Sequence, residues 1–278
     1  MGNYERLKSL HVDCTDGVAW VTINNGPINL LDLTMFQELT QSAEQLAADD
    51  DVRVVVLTSA NPDFFIAHFD VALIQLLPRD SGTPTELNSF HAMCETFRTM
   101  PKPTIAMIEG RVGGGGSELA LSCDMRFAAV DKAIFNQPEV ALGILPGGSG
   151  TVRLSRLAGR SRAMEIILGC NDFDASTAEK YGWVNRALPG DQIESYVRSL
   201  AARIAGFPTH AVIAAKAAIL RAEGDITSDL NAESGAFNAT LGNDNTQKLL
   251  QKFLEIGGQT LAGEQQLGHL AAALRRPN

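Results

Sequence analysis

The sequence has few groups from which a disulfide framework or a metal site could be built. Its four cysteines are scattered and form no C-x-x-C pair: Cys14, Cys94, Cys123 and Cys170. We therefore expect reduced thiols and no disulfide. The histidines other than His68 show no metal-ligand spacing, so we interpret them as structural and expect no metal site.

Long apolar segments are also missing. No run approaches the ~18 to 20 apolar residues that a membrane-spanning helix needs. The amino terminus, residues 1–6, has no apolar signal core, and Arg6 occupies the position where a myristoylation motif needs Ser or Thr. These absences predict a cytoplasmic protein that does not bind membranes.

Positive charge is scarce as well. The chain has 23 Lys and Arg against 32 Asp and Glu, which gives a formal net charge of -9. This balance argues against any binding that depends on a long phosphate backbone, so nucleic acid is not an expected partner. The apolar and charged fractions, 45% and 20%, are typical of a globular protein.

Strands and helices alternate through the first two thirds of the chain. Strand-like segments occur at 17–23, 52–58, 103–108 and 125–130, and apolar residues at helical spacing follow Thr34, where Gln37 completes a possible capping box. Beyond about residue 200 the sequence becomes Ala-rich and helical, with no convincing strand. The pattern predicts an α/β core over residues 1–200 and a helical region over residues 201–278.

A run of four glycines, Gly113 to Gly116, follows a predicted buried strand and precedes a helix that we expect to begin near Glu118. Unpaired backbone N–H groups at such a position bind negative charge. The run lacks the lysine of a phosphate-binding loop, and Glu118 occupies the third glycine position of a dinucleotide fingerprint. The pattern G-x-S-x-G is absent, which excludes a serine hydrolase of that type.

Two interpretations of the glycine run remain. The glycines could bind an oxyanion that forms only during a reaction, such as the enolate of a thioester, with Glu118 beside it to move a proton. They could instead serve only tight packing between helix and strand. A second acid, Glu139, follows Pro138, which restricts the backbone before it. Glu139 alone would be typical of a surface residue, but the pair favours acid/base chemistry.

These motifs resemble the signature of enoyl-CoA hydratases in the crotonase superfamily. The matching segments are Gly113 to Ala120, Cys123-Asp124, Gln137-Pro138-Glu139, Gly143 to Thr151 and Arg153-Leu154, with further matches at 54–58 and 101–106. The resemblance implies an α/β fold, a crotonase-like spiral of ββα repeats followed by a C-terminal helical trimerisation region. It also implies a homotrimer or homohexamer, an acyl-CoA substrate and no cofactor beyond the coenzyme A of that substrate.

The resemblance also assigns roles to residues. The segment from Phe65 to Asp70 occupies the family's F-x-A-G-x-D loop, so the backbone N–H groups of Phe69 and Gly115 would form the oxyanion hole. The carbonyl of Ala67 would meet the adenine of CoA. The further substrate-binding residues that it predicts are His68, Asp70, Gly114, Pro138 and Gly147.

The presence of both glutamates points to a hydro-lyase. In that reaction Glu118 would activate a water that attacks the β-carbon, and Glu139 would deliver a proton to the α-carbon of an enoyl-CoA thioester. Three alternatives remain open: a double-bond isomerase, a crotonase-like hydrolase that cleaves a C–C bond in a diketone, and a non-enzymatic scaffold or RNA-binding homologue.

His68 is the clearest departure from the family pattern, because the family usually has glycine at this position. The side chain could line the pocket as a polar or titrating group, or it could point away from the chemistry as a loop substitution. The loop at residues 25–29 is shorter than usual and lacks a basic residue that often meets the phosphates of CoA.

Overall fold

The computed structural model describes Tyr4, residues 7–79 and residues 82–275 of the chain. The predictions for residues 1–6, apart from Tyr4, and for the last three residues of the helical region lie outside the described residues.

The described residues form ten strands in two sheets, of six and four strands. The strands are β1 Leu10–Thr15, β2 Val18–Ile23, β3 Val54–Ser59, β4 Phe64–Ile66, β5 Thr104–Ile108, β6 Arg111–Gly113, β7 Met125–Ala129, β8 Ile134–Asn136, β9 Phe173–Asp174 and β10 Arg186–Leu188. The larger sheet has the order β1-β2-β3-β5-β7-β10, and the smaller has the order β4-β6-β8-β9.

Three pairs of consecutive strands are divided between the two sheets. Each of the pairs β3–β4, β5–β6 and β7–β8 places its first strand in the larger sheet and its second in the smaller one. From β2 to β10 the larger sheet is parallel, as are β4, β6 and β8 in the smaller sheet. After β4 and β6 a helical segment returns the chain to the larger sheet, so this part of the chain advances in turns of two strands and helix. After β8 the chain passes through helices and β9 of the smaller sheet before it reaches β10.

Helices surround both sheets. Their bounds are α1 Leu33–Ala48, α2 Val71–Ile74, α3 Ser89–Thr99, α4 Gly114–Ser122, α5 Gly150–Leu157, α6 Arg160–Gly169, α7 Ala175–Tyr181, α8 Ile193–Ala205, α9 Thr209–Glu223, α10 Thr227–Leu241, α11 Asp244–Glu255, α12 Leu261–Glu264 and α13 Leu267–Ala273, with a 3₁₀ helix at Glu139–Leu142. Among the described residues, no helix has the length and apolar character needed to cross a bilayer.

The continuous apolar segment of β3 is buried on both faces. In β3, Val54 and Val56 pack with residues of α8, whereas Val55 and Leu57 belong to the cluster that includes α1 and α3. All four side chains are fully buried. Parallel strands covered by helices on both faces explain this continuous apolar run.

Two local predictions were wrong. The capping box at Thr34 and Gln37 does not form, because the helix begins earlier: Asp32 is the N-cap, and its side chain accepts the N–H of Met35 at 2.9 Å. The helix predicted to begin near Glu118 begins at Gly114, so the glycine run itself forms its first turn.

The C-terminal helices pack against the core close to the 3₁₀ helix. Leu142 and Ile144, next to Glu139 in sequence, share an apolar cluster with Leu241, Leu250 and Phe253 of α10 and α11. Elsewhere Lys216 of α9 is buried and donates to Asp124 Oδ2 at 2.8 Å. The helical region therefore covers the part of the core that carries Glu139.

Candidate active site

Close packing explains the glycines at the start of α4. A Cβ on Gly116 would lie 2.6 Å from Ile66 Cβ, and one on Gly115 would lie 3.1 Å from Phe69 Cβ. Gly114 also has φ of +45°, in the left-handed region that favours glycine. Tight packing is therefore a real function of the run, and this packing brings α4 against the loop that contains Phe69.

The backbone N–H of Phe69 points away from Leu31, which lies in the neighbouring segment. The carbonyl of His68 accepts the N–H of Leu31 at 2.9 Å, and Asp70 N–H donates to Leu31 at 3.1 Å. In a trans peptide the N–H and C=O groups point in opposite directions. The Phe69 N–H therefore points away from Leu31, and a Gly115 Cβ would lie 3.5 Å from this nitrogen.

Gly115 supplies a second amide beside that of Phe69. It is the second residue of α4, and N–H groups in the first turn of a helix have no acceptor within the helix. Both residues line the same cavity. Two neighbouring backbone N–H groups that donate to no carbonyl of their own helix or loop can stabilise an oxyanion.

Glu118 is held by a backbone turn. Its side chain is 3% exposed, and Oε1 accepts the N–H groups of Gly148 and Gly150, each at 2.8 Å. A Cβ on Gly148 would lie 2.5 Å from Glu118 Oε2, so this position needs glycine. The two donors fix the carboxyl and favour its ionised form.

Glu139 begins the 3₁₀ helix directly after Pro138, and it is 7% exposed. Its Oε1 atom lies 2.9 Å from the position that a Gly114 Cβ would take. Among the described residues Oε2 has no hydrogen-bond partner. The carboxyl is thus buried at the glycine turn with capacity to exchange a proton.

Both glutamates line one cavity of about 410 Å³. The predicted site residues that also line it are His68, Phe69, Gly114, Gly115, Pro138 and Gly147. The structure thus brings together the two carboxyls and both proposed oxyanion donors. The remaining wall is largely apolar and includes Phe36, Phe90, Ile144, Phe237 and Phe253.

Two predicted substrate-binding residues are not among the residues that line this cavity. Ala67 is buried, and its carbonyl oxygen lies 2.7 Å from the position that a Gly113 Cβ would take. Asp70 is the N-cap of α2 and accepts a hydrogen bond from Gln259 Nε2 at 3.0 Å. Contacts of these two residues with CoA stay predictions.

Burial raises the pKa values of both carboxyls. It raises the pKa of Glu139 to about 7, with the charge of Glu233 acting in the same direction and the charge of His68 opposing it. Burial also raises the pKa of Glu118 well above its ordinary value, aided by the charges of Glu139 and Glu233 and opposed by the Gly148 and Gly150 N–H groups. Two such carboxyls titrate as a coupled pair, and their burial favours the protonated forms.

Glu233, a residue of α10, supports the turn that holds Glu118. Its buried carboxylate accepts the N–H groups of Ser149 at 2.6 Å and Thr151 at 3.0 Å. The four successive amides from Gly148 to Thr151 therefore alternate between Glu118 and Glu233. Ser149 has φ of 93°, an unusual value for a residue with a side chain, and this hydrogen bond helps to hold it there.

His91, predicted to be structural, also binds Glu233, with Nε2 and Oε1 3.1 Å apart. Glu233 was not predicted from the sequence, because α10 is distant in sequence from the motifs and no local pattern marks this residue. Among the described residues no cluster of three or more His, Cys, Asp and Glu side chains could hold a metal ion.

Known proteins resemble this chain over most of its length. Residues 13–261 match the enoyl-CoA hydratase/isomerase family. The chain belongs to this family. A short-chain-enoyl-CoA hydratase of Clostridium acetobutylicum is 32% identical over 240 residues, which are 86% of this chain and 91% of that protein.

Solved structures resemble the whole chain. A proposed enoyl-CoA hydratase of Streptomyces avermitilis is 38% identical, with a TM-score of 0.89 over 97% of this chain and 99% of that one. An enoyl-CoA hydratase of Bacillus anthracis is 32% identical, with a TM-score of 0.70 over 90% and 97%. The predicted crotonase-like α/β fold with C-terminal helices is confirmed, and the chain is an enzyme of the hydratase/isomerase family.

Glu139→Gln should change how stability depends on pH. Because the folded state holds the Glu139 proton more tightly than the unfolded state, the wild-type free energy of unfolding should fall as pH rises from 4.5 to 7. The variant does not lose stability in this way. Its free energy of unfolding should therefore rise relative to that of wild type, by about 3 kcal/mol at pH 8. Urea denaturation at several pH values measures it. A constant difference from wild type, as expected for the exposed Glu44→Gln, would contradict the assignment.

Glu233→Ala should destabilise the fold, because it leaves the buried amides of Ser149 and Thr151 without an acceptor. We expect the free energy of unfolding to fall by about 3 kcal/mol in urea at pH 7. The matched control is Glu44→Ala on the exposed face of α1, which should change it by less than about 0.5 kcal/mol. Equal effects of the two substitutions would show that Glu233 does not hold the turn.

Proposed function

We propose that the chain is an enoyl-CoA hydratase, which adds water across the 2,3 double bond of an enoyl-CoA thioester. The observation that carries this proposal is the convergence of two buried carboxyls, Glu118 and Glu139, with the amides of Phe69 and Gly115 on one cavity. Family membership supports it, and so does the name of the Clostridium acetobutylicum relative.

The oxyanion hole activates the substrate. The N–H groups of Phe69 and Gly115 bind the thioester oxygen and stabilise the negative charge that it gains when the β-carbon is attacked. Preorganised donors cost no rearrangement at that moment, and each contributes roughly 10²- to 10³-fold in rate. The packing of α4 against the Phe69 loop maintains their spacing.

The two carboxyls divide the proton transfers. Glu118, whose Oε1 atom accepts the N–H groups of Gly148 and Gly150, takes a proton from water as the water oxygen bonds to the β-carbon. Glu139, with a pKa of about 7, gives its proton to the α-carbon of the enolate. The pair begins and ends with one proton, so a single proton exchange between the carboxyls or with solvent restores the starting state.

The substrate is an acyl-CoA, and we propose no cofactor beyond the coenzyme A that it carries. The apolar wall formed by Phe36, Phe90, Ile144, Phe237 and Phe253 suits a hydrocarbon acyl chain. His68, Gly114, Pro138 and Gly147 also line the cavity and are proposed substrate contacts.

We also propose a cytoplasmic homotrimer or homohexamer. The support for assembly is a set of exposed apolar side chains on the helices of the second half of the chain and on one connection between them: Met164, Leu168 and Ile219 on helices, and Phe207 between α8 and α9. Exposed apolar surface of this kind is typical of faces covered by another subunit. The location is proposed from the sequence.

The direct test follows the loss of the conjugated thioester absorbance when the purified protein is mixed with crotonyl-CoA. Glu118→Gln and Glu139→Gln should each lower kcat by about 10²- to 10⁴-fold, because each removes one proton transfer while retaining the side-chain shape. Glu44→Gln, on the exposed face of α1, should keep wild-type activity.

Other outcomes would overturn the hydratase assignment. Migration of the double bond in an unsaturated substrate, with no addition of water, would identify an isomerase. Cleavage of diketones alone would identify a C–C bond hydrolase. Full activity in either glutamine variant would remove that glutamate from the mechanism.

A further inference from the structure

The His68 ring is held at both nitrogens. Nδ1 lies 2.8 Å from the carbonyl oxygen of Phe69, and Nε2 lies 3.0 Å from Glu264 Oε1. The side chain is buried in the cavity wall, and its ring meets that of Phe253 edge-on at 5.7 Å. Of the two alternatives open for His68, the structure shows the one in which the side chain lines the cavity.

The hydrogen-bond partners define the charge of this ring. A carbonyl oxygen can only accept, so Nδ1 carries a hydrogen. Glu264 Oε1 also accepts the N–H of Gln259 at 2.7 Å, which favours the carboxylate, so Nε2 also carries a hydrogen. With a hydrogen on each nitrogen His68 is an imidazolium, paired with a buried anion.

The electrostatic surroundings agree with this charge. Burial alone would lower the pKa of His68, but the charge and hydrogen bond of Glu264 raise it to about 9. Burial alone would raise the pKa of Glu264, but the charge and hydrogen bond of His68 lower it. Each group therefore keeps the other ionised near neutral pH.

His68 and the proposed acid Glu139 both approach Gly114. The Cβ atom of His68 and the Oε1 atom of Glu139 lie 3.1 Å and 2.9 Å from the position that a Gly114 Cβ would take. Among the described residues that line the cavity, His68 is the only one that can carry positive charge, and Glu118 and Glu139 are the acidic ones. The positive charge of His68 acts to lower the pKa of Glu139, as expected for a cation near a carboxyl.

The same ring also holds the proposed oxyanion loop. Its Nδ1–H binds the Phe69 carbonyl, while the His68 carbonyl binds Leu31 N–H. Gln259, which donates to Glu264, accepts the N–H of Val71 at 2.9 Å. The segment that contains Glu264 is therefore connected to both ends of the loop that presents the Phe69 amide.

We propose that His68 is a positioning residue: as an imidazolium fixed by Glu264, it supplies the positive charge that stabilises the Glu118–Glu139 pair and it locks the Phe69 peptide. This inference rests on the proposed function for its catalytic meaning. Two other charged residues act on these side chains. Glu233 acts on Glu139, and Arg111, which pairs with Asp172, acts on Glu264.

Two matched substitutions distinguish an effect of the His68 charge from an effect of the contacts of the His68 side chain. His68→Gln removes the ring, whereas Glu264→Gln keeps the ring and removes the anion that fixes its charge. Glu264 is not among the described residues that line the cavity. Both should raise the pKa values of the carboxyl pair, because an ionised carboxyl loses a neighbouring cation. The pH profile of kcat should move upward by about one pH unit in both variants, with a smaller change in KM.

Lys216→Met is the control, because it removes a buried cation that pairs with Asp124 and does not line the cavity. It should lower stability and leave the pH profile unmoved. A profile that stays fixed in both His68→Gln and Glu264→Gln would overturn the proposal. A shift in His68→Gln alone would also overturn it, since contact rather than the paired charge would then be responsible.

A titration without substrate distinguishes this inference from the proposed function. NMR of protein labelled at the glutamate carboxyl carbon, with signals assigned by Glu118→Gln and Glu139→Gln, reports the pair directly. If crotonyl-CoA is not hydrated but the pair titrates about one pH unit higher in both variants, the proposed function fails and the charge role stands. If wild type hydrates but the titration is unchanged in both variants, the positioning role fails alone.

Discussion

Burial of two carboxyl groups beside two main-chain amides is the constraint on which the rest of the site depends. Water cannot solvate Glu118 or Glu139 well, so each ionised form needs protein donors or a nearby cation. Gly148 and Gly150 supply the donors for Glu118, and His68 supplies the cation near Glu139. Incomplete compensation raises both pKa values, and that makes proton exchange possible near neutral pH.

The compensation comes from distant parts of the chain. Glu233 of α10 fixes the turn that solvates Glu118, although 84 positions separate it from Ser149. Glu264, at the end of α12, fixes the charge of His68 across 196 positions. The C-terminal helical region therefore does more than cover the core, because without these two carboxylates neither the turn nor the imidazolium has its partner.

The sequence predicted the local parts of the site well. Gly115 and Glu118 share one helical turn, and Pro138 precedes Glu139 directly, so short motifs define these positions. The roles of Phe69 and Gly115 came from family resemblance, and the structure brings both residues to one cavity with the glutamates. The roles of individual residues stay predictions until activity is measured.

The missed features have physical causes. Glu233 and Glu264 act through tertiary contacts that no local pattern records. The start of α4 at Gly114 goes against the weak helix propensity of glycine, because packing against Ile66 and Phe69 outweighs it. The strands of the smaller sheet are three residues or shorter, too short for a recognisable alternation.

In the proposed mechanism one thioester carbonyl binds both amides while the two carboxyls flank it. A crystal structure with acetoacetyl-CoA, a thioester without the reactive double bond, tests this most directly. We expect the thioester oxygen to lie about 2.7 to 3.1 Å from the backbone nitrogens of both Phe69 and Gly115, with the Glu118 and Glu139 carboxyls on either side of the adjacent carbons. A bound thioester whose oxygen contacts neither amide, or whose acyl carbons lie away from one carboxyl, would contradict it.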